Sequence, residues 1–165
     1  MIALAPLRRL PLPEAELDDP EYLYVADSTI AGQGLFTARP FRPREVICII
    51  AGEVIDAAET ARREAAGNVY IFWNSDDAYI DTATHPRLRY INHACDWNAV
   101  VEGRDDGSLW LVACRDIPSG SELTIDYDFP GIYDLCRRLN PRCRAPSCRS
   151  TPVVDGEAAL ESNSA

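Results

Sequence analysis

Lysine is missing from all 165 residues, so the 16 cationic side chains are all arginine. Against 26 Asp and Glu they leave a formal net charge of −10. A chain this acidic is not built to bind nucleic acid directly, and a basic protein or peptide is the partner its charge suits. Long apolar runs are missing too: no stretch approaches the ~20 residues that a membrane-spanning helix needs. No secretory signal is visible, because Arg8 and Arg9 follow the short apolar run in residues 1–12 instead of preceding it. The expectation is a soluble, intracellular protein. In that setting six cysteines read as free thiols or metal ligands more readily than as disulfides. Internal repeats are also lacking.

What is present suffices for one folded domain. A hydrophobic share of 47% supplies a core, and a charged share of 25% argues against wholesale disorder. Residues 1–21 are Pro- and Leu-rich, then acidic, and read as an N-terminal arm. Tyr22–Val25 is predicted as the first strand. Gly32-Gln33-Gly34 makes a tight turn whose backbone could approach a ligand that side chains would block. Val46–Ile50 is a continuous β-branched run, predicted as a strand buried on both faces. Asp56–Ala66 is the one clear helix: Asp56 caps it, alanines fill it, Glu59 and Arg63 pair at i,i+4, and Gly67 ends it. Val69–Trp73 and Tyr79–Asp81 form a predicted hairpin, and Ala99–Glu102, Leu109–Ala113 and Leu123–Tyr127 three more strands. Many short strands with one helix describe a mostly-β domain of small sheets. From Pro130 the composition changes, with Cys136, Cys143 and Cys148 set among five arginines, and residues 151–165 read as a disordered, acidic C-terminus. Cys48 and Cys114 are expected as small core residues in strands, and His85, before Pro86, as a loop residue.

One stretch fits neither core nor loop: Arg89-Tyr90-Ile91-Asn92-His93-Ala94-Cys95-Asp96-Trp97-Asn98. It gathers two amides, an imidazole, a thiol and a guanidinium around one apolar residue. A regular strand would leave these groups half unpaired, so a ligand or another chain segment has to satisfy them. Thirty residues on lies Glu122-Leu123-Thr124-Ile125-Asp126-Tyr127.

With these stretches in hand, residues 22–149 resemble a SET-domain protein, the family of S-adenosylmethionine-dependent lysine methyltransferases. Four elements appear in family order: Gly32–Phe36, Gly52–Ile55, Arg89–Asn98 and Glu122–Tyr127. The last two, with a strand and the turn Asp116–Gly120 between them, are the specific ones. The resemblance implies a SET fold of several small curved β-sheets, few short helices and a C-terminal pseudoknot. It implies a SET domain at 22–130, an insert at about 56–80 that shapes the substrate groove, and a post-SET-like zinc-binding tail at 131–150. Tyr127 would be the catalytic tyrosine. Gly32, Gln33, Gly34, Arg89, Tyr90, Asn92, His93 and Phe129 would line the cofactor site. Cys95, Cys136, Cys143 and Cys148 would hold a structural zinc ion; Pro141 stands where the tail's first cysteine is usual, and Cys136 is the substitute. Ile50 and Ile125 would border the lysine channel, each where an aromatic is common. Ala94 and Trp97 replace a commoner serine and proline.

The implied activity is methyl transfer to a lysine of a basic protein such as a histone, a histone-like or a ribosomal protein, with neither nucleic acid nor membrane as a direct partner. The setting would be the cytoplasm, or chromatin. The alternatives are a catalytically inactive SET-fold module that docks a basic partner, and a zinc-dependent structural adaptor. A lysine-free enzyme of this kind cannot methylate itself.

Overall fold

β-Branched and aromatic residues spaced two apart, punctuated by glycine and proline, give short strands joined by tight turns. The computed structural model describes residues 20–128 and Ile132. Residues 1–19 of the expected arm, Phe129, the tail cysteines Cys136, Cys143 and Cys148, and the acidic C-terminus lie outside the described residues. Strands β1 (Leu23–Asp27) and β2 (Gln33–Thr37) pair antiparallel. Strands β3 (Val46–Ile49), β8 (Ala99–Gly103) and β9 (Leu109–Ala113) form a sheet in the order β3-β9-β8. A second three-stranded sheet, in the order β4-β6-β5, combines β4 (Glu53–Ile55), β5 (Ile71–Ser75) and β6 (Ala78–Asp81). Two-residue strands β7 (Asn92–His93) and β10 (Thr124–Ile125) run parallel to each other. This is the small-sheet, mostly-β SET fold that the resemblance implied.

The core gathers where these sheets meet. Leu35, Ile47, Cys48, Leu111 and Leu123 are fully buried, with Phe41, Ile50 and Ile117 beside them. Burying one such Leu or Ile is worth roughly 1.5–3 kcal/mol, against at most about 1 kcal/mol for an exposed ion pair, so these side chains hold the sheets together.

Helix α1 (Ala57–Ala65) forms as its sequence predicts. Asp56 Oδ1 accepts the Glu59 N–H at 2.8 Å, and Gly67 leaves the helix at φ +90°. The Glu59–Arg63 pair is present at 2.6 Å, and Arg63 also reaches Glu53 and the buried Asp81. Burial works against the charge of Asp81. The Arg63 guanidinium, the Ala83 N–H and the Asn68 amide nonetheless hold its carboxyl below the usual range. Helix and second sheet are thereby pinned as a unit. Among the described residues no helix is long and apolar enough to cross a membrane.

Two expectations need correction. The last strand is Thr124–Ile125, not Leu123–Tyr127, because the Tyr127 N–H turns away to a histidine ring and Asp128 adopts φ +49°. Cys48 is a core residue in β3, but Cys114 lies just past β9 and is exposed, with its Sγ 3.7 Å from the Trp97 carbonyl oxygen.

Candidate active site

The Arg89–Asn98 stretch is irregular because its polar groups are met by other parts of the chain. A 3-10 turn spans Leu88–Tyr90, and His85 Nδ1 accepts the N–H groups of Arg87 and Leu88 at 3.1 and 3.0 Å. His85 therefore shapes the entry to this stretch, a role its loop position did not announce. Asn98 acts as a strand partner for β10: its amide donates to the Glu122 carbonyl at 2.8 Å and its Oδ1 accepts the Thr124 N–H at 3.0 Å.

Asn92 and His93 face different surroundings. The Asn92 amide donates to Glu122 Oε1 at 2.7 Å and to the carbonyls of Gln33 and Ala31 at 3.0 and 3.2 Å. It thus ties the glycine turn to β7. Gly32 takes φ +50°, where L-residues are strained, and nothing among the described residues lies within 4 Å of where a Cβ would sit. Gly34 has a different reason to be glycine: a Cβ there would lie 2.2 Å from Glu122 Oε1.

His93 is buried, and its Nδ1 accepts the Tyr127 N–H at 3.2 Å. A backbone N–H can only donate, so the ring proton sits on Nε2, 3.6 Å from Cys95 Sγ. Asp126 Oδ1 lies 3.6 Å from Nδ1, and the rings of His93 and Tyr127 are 5.5 Å apart. The Tyr127 hydroxyl donates to the Ile91 carbonyl at 2.6 Å. Burial, aided by the neighbouring Tyr70 and Glu122, pushes its pKa up to about 12, so the phenol keeps its proton at neutral pH.

Between β5 and β8 lies a cavity of about 740 Å³. Its lining includes Tyr70, Phe72 and Trp73, the strand residues Val100 and Val101, and Leu88, Ile91, Ile125 and Tyr127. β5 and β8 are edge strands of their sheets, so both can offer backbone groups to an extended peptide. Asp126 and Asp128 add carboxylates to the lining. Arg89 lines the cavity as well, its guanidinium 5.1 Å from the Tyr70 ring and 5.4 Å from the Tyr90 ring, with a buried Nε that meets no hydrogen-bond partner among the described residues.

The expected residues thus fall into two groups joined by His93. Gly32, Gln33, Gly34 and Asn92 cluster at the turn, while Arg89, Ile125 and Tyr127 border the cavity. Ile50, 1% exposed, belongs to the core and is not among the cavity walls. Cys95 is buried beside His93, and among the described residues no group of three His, Cys, Asp or Glu could hold a metal ion. Sequence reasoning passed over Ser28 and Glu122. The Ser28 hydroxyl donates to both Glu122 carboxylate oxygens, at 2.8 and 2.9 Å, and accepts the Ile30 N–H. A serine just ahead of a glycine turn is the signal that could have found it.

Comparison with known proteins agrees with this geometry. The SET domain family matches residues 32–128. Histone-lysine N-methyltransferase trr of Drosophila melanogaster is 35% identical over 136 residues, covering 77% of this chain and 6% of that protein. Histone-lysine N-methyltransferase set1 of Dictyostelium discoideum is 34% identical over 134 residues, covering 75% of this chain and 9% of that protein. A chain from the crystal structure of an active polycomb repressive complex 2 in the basal state superposes with a TM-score of 0.59 at 30% identity, covering 65% of this chain and 15% of that one. The chain therefore spans a small part of the length of the proteins it matches.

Proposed function

We propose, from the fact that this chain belongs to the SET domain family, that it is a protein-lysine N-methyltransferase using S-adenosylmethionine and acting on a basic protein, a histone first among them. One observation carries the proposal: Tyr127, half-buried and protonated, lines the cavity and is linked through His93 to the stretch that holds the glycine turn. The curated relatives support histone as the acceptor class by their names, and chromatin as the setting.

S-adenosylmethionine, when bound, supplies a methyl group on a cationic sulfur. The residues present suit such a cation: the Tyr127 phenol meets the Ile91 carbonyl, the Asp126 carboxylate lies beside the His93 ring, and no described residue fills the space over Gly32. Gly32, Gln33, Gly34, Arg89, Tyr90, Asn92, His93 and Phe129 are the residues that would hold it. The acceptor lysine attacks only as the free amine, and in water its pKa is about 10.4. Ile91, Leu88 and Ile125 provide an apolar lining that desolvates the ammonium and favours the neutral form. Tyr127 aligns the reacting groups without offering a competing nucleophile, because its phenol stays protonated. Edge strands β5 and β8 receive the acceptor chain in extended form, and the acidic lining and net charge of −10 attract a basic one.

The same reading assigns residues 22–130 to the SET domain, with Ile125 serving its lysine channel, and 131–150 to a tail where Cys136, Cys143 and Cys148 join Cys95 around a structural zinc ion. Its support is the burial of Cys95 beside His93 and the spacing of the tail cysteines.

The test is transfer of labelled methyl from S-adenosylmethionine to core histones and ribosomal proteins. Label on a protein lysine with the wild type and none with Tyr127→Phe is the expected result. Absence of any S-adenosylmethionine binding would overturn the reading.

A further inference from the structure

The turn between β1 and β2 is exposed, short and glycine-containing, and such a segment frays unless something holds it. Three side chains from distant parts of the sequence do so. Glu122, 94 residues from Ser28, accepts its hydroxyl through both carboxylate oxygens, at 2.8 and 2.9 Å. The Ser28 oxygen in turn accepts the Ile30 and Ala31 N–H groups at 2.9 and 3.3 Å, which folds the turn back on itself. Asn92 closes the arrangement, donating to Glu122 Oε1 and to the carbonyls of Ala31 and Gln33. The absent Cβ of Gly34 makes room for the carboxylate, since a methyl group there would lie 2.6 Å from Glu122 Cδ.

We propose that Ser28, Glu122 and Asn92 form a latch that pre-organises the Ala31–Gly34 turn to receive the methyl donor, with Ser28 and Glu122 as positioning residues. The proposal rests on the methyltransferase reading of the site. Glu122 and Tyr127 belong to one segment, on either side of β10. The latch therefore ties the donor's turn to the segment that carries the catalytic tyrosine. Without it the turn samples open shapes, and donor affinity falls in proportion to the fraction of time the competent shape is lost. The loss falls on donor binding, because Tyr127 and its bond to the Ile91 carbonyl lie outside the latch.

The experiment compares Glu122→Ala, Glu122→Gln and Ser28→Ala in the full chain by two readouts. Amide hydrogen exchange reports the turn, and calorimetry with S-adenosylhomocysteine reports the donor site. Glu122→Ala and Ser28→Ala are expected to speed exchange at Ile30 and Ala31 and to weaken binding by about tenfold, a turn competent a tenth of the time. Glu122→Gln, which keeps an acceptor oxygen, should restore most of both. In turnover, donor KM should rise while kcat at saturating donor and the acceptor KM hold. Unchanged exchange, or faster exchange with unchanged affinity, overturns the latch. Failure of the wild type to bind, with exchange still faster in Glu122→Ala, overturns the methyltransferase reading and supports the latch as the holder of the turn.

Discussion

Substituting Gly34 by alanine tests the packing argument most sharply. The new methyl would sit 2.2 Å from Glu122 Oε1 and 3.1 Å from its Cγ, where ordinary contact begins at 3.4 Å. The carboxylate must withdraw by more than an ångström, and it then loses the Asn92 amide and the Ser28 hydroxyl. At about 1 kcal/mol for each partly exposed bond, plus residual crowding, the loss is roughly 2–4 kcal/mol. For a chain of this length that lowers the Tm by about 5–15 °C. Gly32→Ala meets no neighbour among the described residues and bears the left-handed backbone cost, about 1–2 kcal/mol. Urea denaturation of both variants, and of Gly34→Ala combined with Glu122→Ala, measures the difference. Gly34→Ala should be the more damaging, and Glu122→Ala should relieve part of its loss, with a coupling of about 1 kcal/mol or more. Equal losses at the two glycines, or strict additivity in the double variant, would refute the reasoning.

Tyr127→Phe removes one hydrogen bond to the Ile91 carbonyl, so it should fold with a loss of about 1 kcal/mol. Its turnover should fall about a hundredfold or more with donor affinity unchanged, as rapid-quench and calorimetric assays would record. Alkaline stability follows from the same phenol: the unfolded chain sheds this proton near 10 and the folded chain near 12, so the unfolded state binds fewer protons between those values. Stability is therefore full below pH 10 and falls as pH rises toward 12, by up to about 2–3 kcal/mol, and Tyr127→Phe should flatten the decline in urea midpoints. A zinc chelator should lower methyl transfer, and Cys95→Ser should abolish bound zinc in metal analysis; unchanged metal content would remove Cys95 from the proposed site.

Much of this was legible wherever the information is local. Asp56, Glu59 and Gly67 declare the helix within a dozen residues, and the apolar run at Val46 declares a core strand. The Arg89–Asn98 stretch was legible as a site because its polar content suited no regular element. What satisfied it was not, because Glu122, Tyr127 and Thr124 lie about thirty residues away. Gly34 shows the same limit: its sequence suggested a turn glycine open to a ligand, whereas its neighbour is a carboxylate from the far end of the domain. Cys114 was misread as core because one position past the end of β9 changes the face a side chain meets.

The parallel pairing of β7 with β10 has a consequence in time. A ribosome adding about 5–20 residues per second delivers Thr124 roughly two to six seconds after Asn92. The β3-β9-β8 sheet can close during that interval, since its strands are complete by Ala113. The Asn92 amide, the His93 ring and the place for Tyr127 must wait for Glu122–Tyr127 to emerge. The site is thus completed last in every newly made copy, and a nascent chain halted before residue 122 lacks both the machinery and the core side chain Leu123.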